Sequence, residues 1–235
     1  MNNWQMDLFT ELHNNKNMQD IVDISLKAVK PLGFTFCTWK TRLALPLAQR
    51  RSCVLATSED NVHQKNMAGG YDEAPITTHC STTTVPAIWT GRHEGAIFEK
   101  DPALVEEFFG WGHRGGWAQS IMEGAGQFSM LLVDSSDIMS ESYLKHEVGF
   151  QLEWIATAVH SAMQRAKKQS VVMLSAREKE VLRWAGDGKT SDQISQILNL
   201  SVSTVNFHLR NAMLKLEAPN KTAAVVRAIF LGLLT

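Results

Sequence analysis

The clearest hydrophobic periodicity lies in the C-terminal third of the chain. Between Ser201 and Leu216, apolar residues recur every three to four positions, which is the spacing of an α-helix. One face of this predicted helix is apolar and consists of Val205, Leu209, Ala212, Met213 and Leu216. The opposite face carries Ser203, Asn206, Phe207 and Arg210. We therefore expect one face to pack and the other to contact a partner.

Three more helices are predicted around it. Ser175 to Ala185 opens with a capping box, Ser175 followed three residues later by Glu178, and glycines follow its last residues. Ser191 to Leu198, capped by Thr190 or Ser191, and Asn220 to Leu231 are the other two. A short turn joins the second helix to the third. This pattern predicts a helix-turn-helix, whose second helix fits the major groove of DNA.

The side chains of this segment suit a nucleic-acid partner. Asn206 can pair with adenine and Arg210 with guanine, because each can form two hydrogen bonds to a base edge. Lys215 is expected to contact the phosphate backbone. Phosphate is also expected near the predicted helix N-termini, at Thr190, Ser191, Ser203 and Thr204. From residue 174 onward the net charge is +3, whereas the rest of the chain carries −4, which favours an anionic partner for this segment.

The N-terminal part has mixed periodicity. Amphipathic helices, apolar runs that alternate like strands, and a hairpin follow one another, with a loop or irregular helix at Glu59 to Asp72. The predicted elements are a helix at Met18 to Val29, strands at Phe34 to Lys40 and Arg51 to Ala56, a helix from Asp101 to Phe109, a hairpin of Trp117 to Met122 with Gln127 to Val133 around Ala125 and Gly126, and a long helix at Ser140 to Gln164. This order predicts an α+β domain, an antiparallel sheet covered by helices.

The break in pattern lies at Gln164 to Met173, where basic residues gather. We therefore expect an α+β domain at 1–163, a linker at 164–173 and an all-α domain at 174–235. No secretory signal or membrane-length apolar run is present, and three cysteines are an odd number, so a soluble protein in the reducing cytoplasm is expected. We find no metal-ligand spacing and no nucleophile beside a base, and predict neither a metal cofactor nor an enzyme.

The C-terminal segment LSAREKEVLRWAGDGKTSDQISQILNLSVSTVNFHLRNAMLKLEAPNKTAAVVRAIFLGLL resembles the DNA-binding domain of LuxR-type quorum-sensing regulators. The matching positions are Glu178, Leu182, Trp184, Gly188, Lys189, Ile194, Thr204, Val205, His208, Lys215 and Leu216. The N-terminal part is similar to the autoinducer-binding domain of the same family. That similarity implies an α-β-α sandwich with a pocket for an acyl-homoserine lactone between the sheet and one set of helices.

Three polar residues that bind the signal in that family are missing here. Trp89, in VPAIW, matches the tryptophan that covers the lactone ring. The family's tyrosine, its other tryptophan and its aspartate fall near Ser58, near Val62 and at Ala74, with Glu73 and Asp72 as the nearest carboxylates. The domain is therefore expected either to bind a more apolar or differently shaped signal, or to fold without a ligand. Candidate lining residues are Thr38, Trp39, Glu73, Trp89, Leu104, Phe108, Trp117 and Ser129, with at most one of Thr38 and Trp39 facing the pocket.

A regulator of this kind is expected to act as a homodimer on a palindromic operator in double-stranded DNA. The dimer contacts are predicted at two apolar surfaces. One is the last helix, with Val225, Val226, Ala228, Ile229, Phe230 and Gly232, and the other is the long helix, with Val148, Leu152, Ile155, Ala156, Val159 and Met163. RNA polymerase is a further expected partner if the protein activates transcription. Two alternatives stay open: a response regulator with a doubly wound receiver, and a module that heterodimerises with related regulators.

Overall fold

A computed structural model of the chain describes residues 4–43, 52–58, 61–92, 101–124, 127–169 and 172–234. Arg51, Ala125 and Gly126, which the sequence assigns to a strand and a hairpin turn, lie outside these ranges. The chain divides into two compact units, 1–169 and 170–235. The long helix runs to Gln169 and so includes the first six residues of the stretch that the sequence suggests as a linker.

The N-terminal unit contains six α-helices and five strands among its described residues. The helices are α1 (Trp4–Asn14), α2 (Met18–Val29), α3 (Asn61–Met67), α4 (Pro75–Thr82), α5 (Pro102–Gly110) and α6 (Gly149–Gln169). The strands are β1 (Phe36–Arg42), β2 (Ser52–Ala56), β3 (Ala87–Thr90), β4 (Gly115–Gly124) and β5 (Gln127–Asp134).

The five strands form one antiparallel sheet in the order β2-β1-β5-β4-β3. The predicted hairpin of β4 and β5 is present, with a register irregularity between Met122 and Gly124. The α+β class with helices on an antiparallel sheet is thereby confirmed. A doubly wound receiver has a parallel sheet, so the response-regulator alternative is wrong.

Both faces of the sheet are covered by helices. On one face, Trp39, Trp117 and Leu131 pack against α1, α2 and α6. On the other face, Trp89 and Leu132 pack against α3, α4 and α5. Because side chains alternate along a strand, neighbouring residues serve different layers. We call the first the α6 layer and the second the α5 layer.

Three elements were missed by the sequence patterns, and one was misjudged. The two missed helices, α1 and α4, show a clear hydrophobic pattern over only one or two turns. The missed strand, β3, has only four residues in which a pattern could be seen. The predicted helix from Ser140 is interrupted, since a separate wide turn at Tyr143–Glu147 precedes α6. The bulk of the predicted helix survives as α6.

The C-terminal unit is all-helical. Its helices are α7 (Ala176–Gly186), α8 (Ser191–Leu198), α9 (Val202–Lys215) and α10 (Lys221–Phe230). Val181, Leu182, Ile194, Val205 and Ala228 are among the side chains of its separate apolar core. All four helices predicted from the sequence are present within one or two residues of the expected bounds, and the helix-turn-helix of α8 and α9 is confirmed.

No helix within the described ranges combines the length and apolar character that a bilayer crossing requires. The three cysteines are free thiols, and Cys37 and Cys80 are buried. Burial raises the pKa of the Cys80 thiol to about 12, so this thiol stays protonated at neutral pH.

Gly116 provides a test of the packing in the α5 layer. The indole of Trp89 lies directly over Gly116, and a Cβ at this glycine would sit 2.2 Å from Trp89 Cζ2 and 2.7 Å from the carbonyl oxygen of Val133. Gly116→Ala should therefore lower the free energy of unfolding by about 1 to 3 kcal/mol, measured by chemical denaturation. Gly110→Ala is the control, because its added methyl would meet no described atom within 4 Å. Equal stability of the two variants would contradict this account of the packing.

Candidate nucleic-acid interface and signal pocket

The α8 and α9 helices begin at well-formed caps. Thr190 Oγ1 accepts a hydrogen bond from the Gln193 N–H at 3.2 Å, and the Thr190 N–H donates to Gln193 Oε1 at 3.0 Å. Asn199, in the left-handed region, ends α8, and Ser201 Oγ then accepts from the Thr204 N–H at 3.0 Å to begin α9. A left-handed residue followed at once by a cap makes the turn tight, so it sets the angle between the two helices.

The outer face of α9 is polar and its inner face is buried. Val205, Leu209 and Ala212 pack in the domain core, whereas Ser203 and Arg210 are exposed. No aspartate or glutamate occurs anywhere in α9. A helix with a buried face, an outer face of hydrogen-bonding groups and no carboxylate suits a groove lined by phosphates.

A concave surface runs beside this face. Its volume is about 480 Å³, and its lining includes Ser191, Asn206, Arg210 and Lys221. The structure thus brings three of the predicted DNA-contacting residues together. It adds Lys221, which the sequence did not single out, and whose Nζ donates to the carbonyl of Lys189. Thr190 and Thr204 lie at the two helix N-termini described above, where Thr204 Oγ1 is 2.7 Å from Ser201 Oγ.

Lys215, predicted to contact phosphate, is engaged within the domain. Its Nζ lies 2.8 Å from Glu178 Oε2, and the same carboxylate oxygen accepts from the Ser175 N–H at 2.7 Å. Glu178 is only 4% exposed. Burial raises the pKa of Glu178, but the hydrogen bonds from Lys215 and Ser175 outweigh it, so the pKa lies below its ordinary value. Lys215 therefore neutralises a buried carboxylate that joins α7 to α9.

The eight predicted pocket residues do not share one pocket. Trp89, Leu104 and Phe108 lie in the α5 layer, but Trp39 and Trp117 lie in the α6 layer. This corrects the prediction for both tryptophans, and the cause is strand alternation, since their immediate neighbours Thr38 and Ala118 point to the α5 side. Of Thr38 and Trp39, only Thr38 can face a ligand among α3, α4 and α5.

Ser129 also lies on the α6 side of the sheet and is corrected in the same way. Its Oγ is 2.9 Å from Thr41 Oγ1 and also bonds to Glu123. Lys167 of α6 donates to Thr41 Oγ1 at 3.2 Å and pairs with Glu123 at 3.4 Å. These four side chains attach the last turns of α6 to the sheet. The hydrogen-bond partners of Ser129 therefore lie on the α6 side.

A buried lysine occupies one end of the α5 layer. Lys40, on β1, is 1% exposed, and its Nζ pairs with Asp72 Oδ1 at 2.8 Å. It also donates to Asn66 Oδ1 at 3.0 Å and to the Tyr71 carbonyl at 3.2 Å. Burial lowers the pKa of Lys40, with the pairing to Asp72 opposing it. All three ammonium protons are used, so Lys40 closes this end of the layer by attaching the segment before α4 to the sheet.

A second set of polar side chains lines an open cleft beside the helices of the α5 layer. The cleft has a volume of about 270 Å³, and Tyr71, Glu73, Ala74, Leu104 and Glu107 belong to its lining. Tyr71 is buried, and its hydroxyl donates to Glu107 Oε1 at 2.6 Å. Glu73, one of the predicted lining residues, is exposed at the rim of this cleft. Ala74, where the family has its aspartate, thus faces a tyrosine and a glutamate.

Comparison with known proteins agrees with both units. Residues 17–163 match the family model for the autoinducer binding domain, and residues 172–228 match the model for bacterial regulatory proteins of the luxR family. The transcriptional activator protein AnoR of Acinetobacter nosocomialis is 33% identical, over the full length of both chains. The chain belongs to the LuxR family of quorum-sensing transcriptional regulators. Its C-terminal domain binds DNA, and its N-terminal domain is the autoinducer-binding domain.

Solved structures of Escherichia coli SdiA share the fold of this LuxR-type chain. One crystal structure superposes with a TM-score of 0.81 at 24% identity, covering 99% of this chain and 98% of SdiA. The structure of SdiA in complex with octanoyl-rac-glycerol superposes with a TM-score of 0.83 at 22% identity, covering 98% and 95%.

The functional residues that sequence reasoning missed carry only weak signals. Lys40 follows the apolar alternation of β1 at an inward position, and a charged residue there could have marked a buried pair. Tyr71 lies in a stretch interpreted as loop or irregular helix, and no pattern marks Glu107. Lys221 stands directly after a helix cap. In each case the partner comes from a distant part of the LuxR-type chain, so no local pattern shows it. Within the described residues, no group of three or more histidine, cysteine or carboxylate side chains could hold a metal.

Removing the Lys215 side chain tests its structural role. Lys215→Ala leaves the Glu178 carboxylate buried with one partner fewer, and because Lys215 itself is 42% exposed, we expect a loss of about 1 to 2 kcal/mol in unfolding free energy, below the range for fully buried pairs. The loss should be largest at neutral pH. It should shrink as pH falls through the lowered pKa of Glu178, because the protonated carboxyl no longer needs a cation.

The alternative is a phosphate contact, and the same variant separates the two. A Lys215→Ala protein with wild-type stability, whose DNA affinity depends on salt with a slope lower by about one, would contradict the structural role. Lys221→Ala serves as the matched lysine variant on the groove.

Proposed function

We propose that the protein is a dimeric regulator that reads an operator through the outer face of α9 and responds to a small molecule carrying an acyl tail and a polar head. Operator reading by α9 is supported by the amphipathic character of this helix: one face is buried in the domain, and the other carries hydrogen-bonding side chains. The roles below follow from that geometry and from the chemistry of each side chain.

Base reading is assigned to Asn206 and Arg210. They lie one turn apart on α9 and line the same concave surface. Ser203, Thr204, Thr190 and Ser191 supply hydroxyls near the N-termini of α8 and α9, where free N–H groups also favour phosphate. Lys221 joins this set in place of Lys215. AnoR is named as a transcriptional activator. Activation by this chain, with a contact to RNA polymerase, belongs to the same proposal.

Dimerisation is assigned to a smaller surface than the sequence suggests. Val148, which directly precedes α6, and Leu152 on α6 were expected at the dimer contact, but both are buried within their own unit. On α10, Val225 and Ala228 belong to the domain core, whereas Ile229 is 58% exposed. The proposed contact therefore uses Ile229 and its half-buried neighbours. Two copies of α9 would then read the two halves of a palindromic operator.

The signal is assigned to the α5 layer. Trp89, Leu104, Phe108 and Leu132 supply an apolar surface for a tail. The cleft beside it offers the hydroxyl of Tyr71 and a carboxylate at Glu107 for a polar head. A solved structure holds SdiA in complex with octanoyl-rac-glycerol, a ligand with an acyl tail and a polar head but no amide. An acyl-homoserine lactone and an acyl glycerol are therefore both candidate signals for this chain.

Substitution of the two base-reading residues tests the DNA part. Asn206→Ala or Arg210→Ala should weaken binding to a selected operator by about 1 to 3 kcal/mol and relax the preference at the base pair each residue reads. Fluorescence anisotropy against the operator and its single-base variants measures both quantities.

Arg177→Ala is the charge-matched control, because it removes one exposed cation from α7 rather than from α9. It should bind the operator nearly as tightly as the wild type. If Arg177→Ala and Arg210→Ala weaken binding equally at every sequence, α9 is not the reading helix. If the folded wild type binds no DNA but captures a related regulator, heterodimerisation is its function instead.

Thermal unfolding with candidate signals tests the sensory part. The panel contains acyl-homoserine lactones and mono-acyl glycerols of graded tail length. A true signal at about 100 times its dissociation constant stabilises the fold by roughly 2.7 kcal/mol, which raises the melting temperature by several degrees. Leu104→Trp, which fills the wall shared by the layer and the cleft, should abolish the rise, while Met6→Ala, exposed on α1, should keep it. No rise with any compound would contradict an acyl signal.

A further inference from the structure

The outer face of α9 also carries an exposed apolar side chain, to which the proposed function assigns no contact. Phe207 is 59% exposed, and its described ring contact is with the adjacent His208, with ring centroids 5.5 Å apart. A phenylalanine exposed to this degree contributes little to the packing of its own domain. Its place on the helix therefore needs a different explanation.

Phe207 lies among the predicted base-reading groups. At 100° per residue, Ser203, Arg210 and Phe207 fall within about 60° of one another. Val205 and Ala212, which are buried, point to the other side of the helix. Phe207 is the sixth residue of α9, in the N-terminal half from which a recognition helix reaches base edges. Leu214 shares the face and is 75% exposed, but it lies two turns further on.

An apolar ring inside the major groove has one apolar group to contact there. Thymine presents a methyl group at C5, whereas the other base edges present hydrogen-bond donors and acceptors. We propose that Phe207 is a specificity-determining residue that selects thymine, at one position of each operator half-site, by packing its ring on that methyl group. The inference rests on the proposed function, because it requires α9 to lie in the major groove.

The surroundings favour DNA over a protein partner for this ring. Asn206 and Arg210 flank it, both lining the concave surface that Ser191 and Lys221 also reach. α9 has no carboxylate that phosphates would repel. An apolar protein surface docking on Phe207 would have to bury Arg210 without a counter-charge, which is costly.

Exchange of thymine for uracil isolates the methyl group, since uracil keeps every hydrogen-bonding group of thymine. Operators are first selected from a random duplex pool with the full-length wild-type protein, in the presence of any signal that stabilises it. Each thymine is then replaced singly by uracil. Wild type should lose about fourfold in affinity at one position per half-site, the equivalent of one buried methyl group. Phe207→Ala should bind the thymine operator more weakly and show a thymine-to-uracil ratio of about one at that position.

Two further variants make the result specific. Phe207→Leu keeps an apolar side chain and should retain part of the discrimination. Arg210→Ala should bind more weakly overall and keep the full thymine-to-uracil ratio. The proposal is overturned if uracil is tolerated everywhere by the wild type, or if Phe207→Ala still discriminates at the same position. If instead Arg210→Ala binds like the wild type, it is the placement of α9 in the groove that fails, and the proposed function with it.

Discussion

The sheet of the N-terminal unit has two covered faces, and every strand must therefore supply side chains to two separate layers. Trp39 and Thr38 are neighbours in β1, yet Trp39 packs under α6 whereas Thr38 lies on the other face of the sheet, beside Leu132 of the α5 layer. A shift of one residue in the pairing would exchange the two sets and put Lys40 beneath α6. The register of the sheet thus decides which side chains a signal can meet, and the helices on both faces depend on it.

Local patterns predicted the elements with their own periodicity and caps. The capping box of Ser175 and Glu178 and the cap at Ser201 depend on residues three apart, so the helices of the C-terminal unit were placed almost to the residue. The order of elements gave the antiparallel α+β class. Short elements such as β3 escaped, because four residues cannot show a period.

The candidate sites were harder to predict than the fold, because they depend on which distant residues meet. The pairing of Lys215 with Glu178 joins residues 37 positions apart, and no local pattern showed it. Trp39, Trp117 and Ser129 were assigned to the pocket by residue type and strand position, without knowledge of which face each strand turned toward α5. Asn206 and Arg210 were more tractable, since one helix carries both and a single period relates them.

Strand alternation has an evolutionary consequence. The inward residues of the α5 layer, such as Thr38, Ala118 and Met130, alternate with those that support α1, α2 and α6. Mutations at the first set change the surface offered to a signal while leaving the opposite layer with its own contacts. Substitutions on one face of the sheet could therefore change the class of signal that a lineage binds, while the packing on the other face is kept.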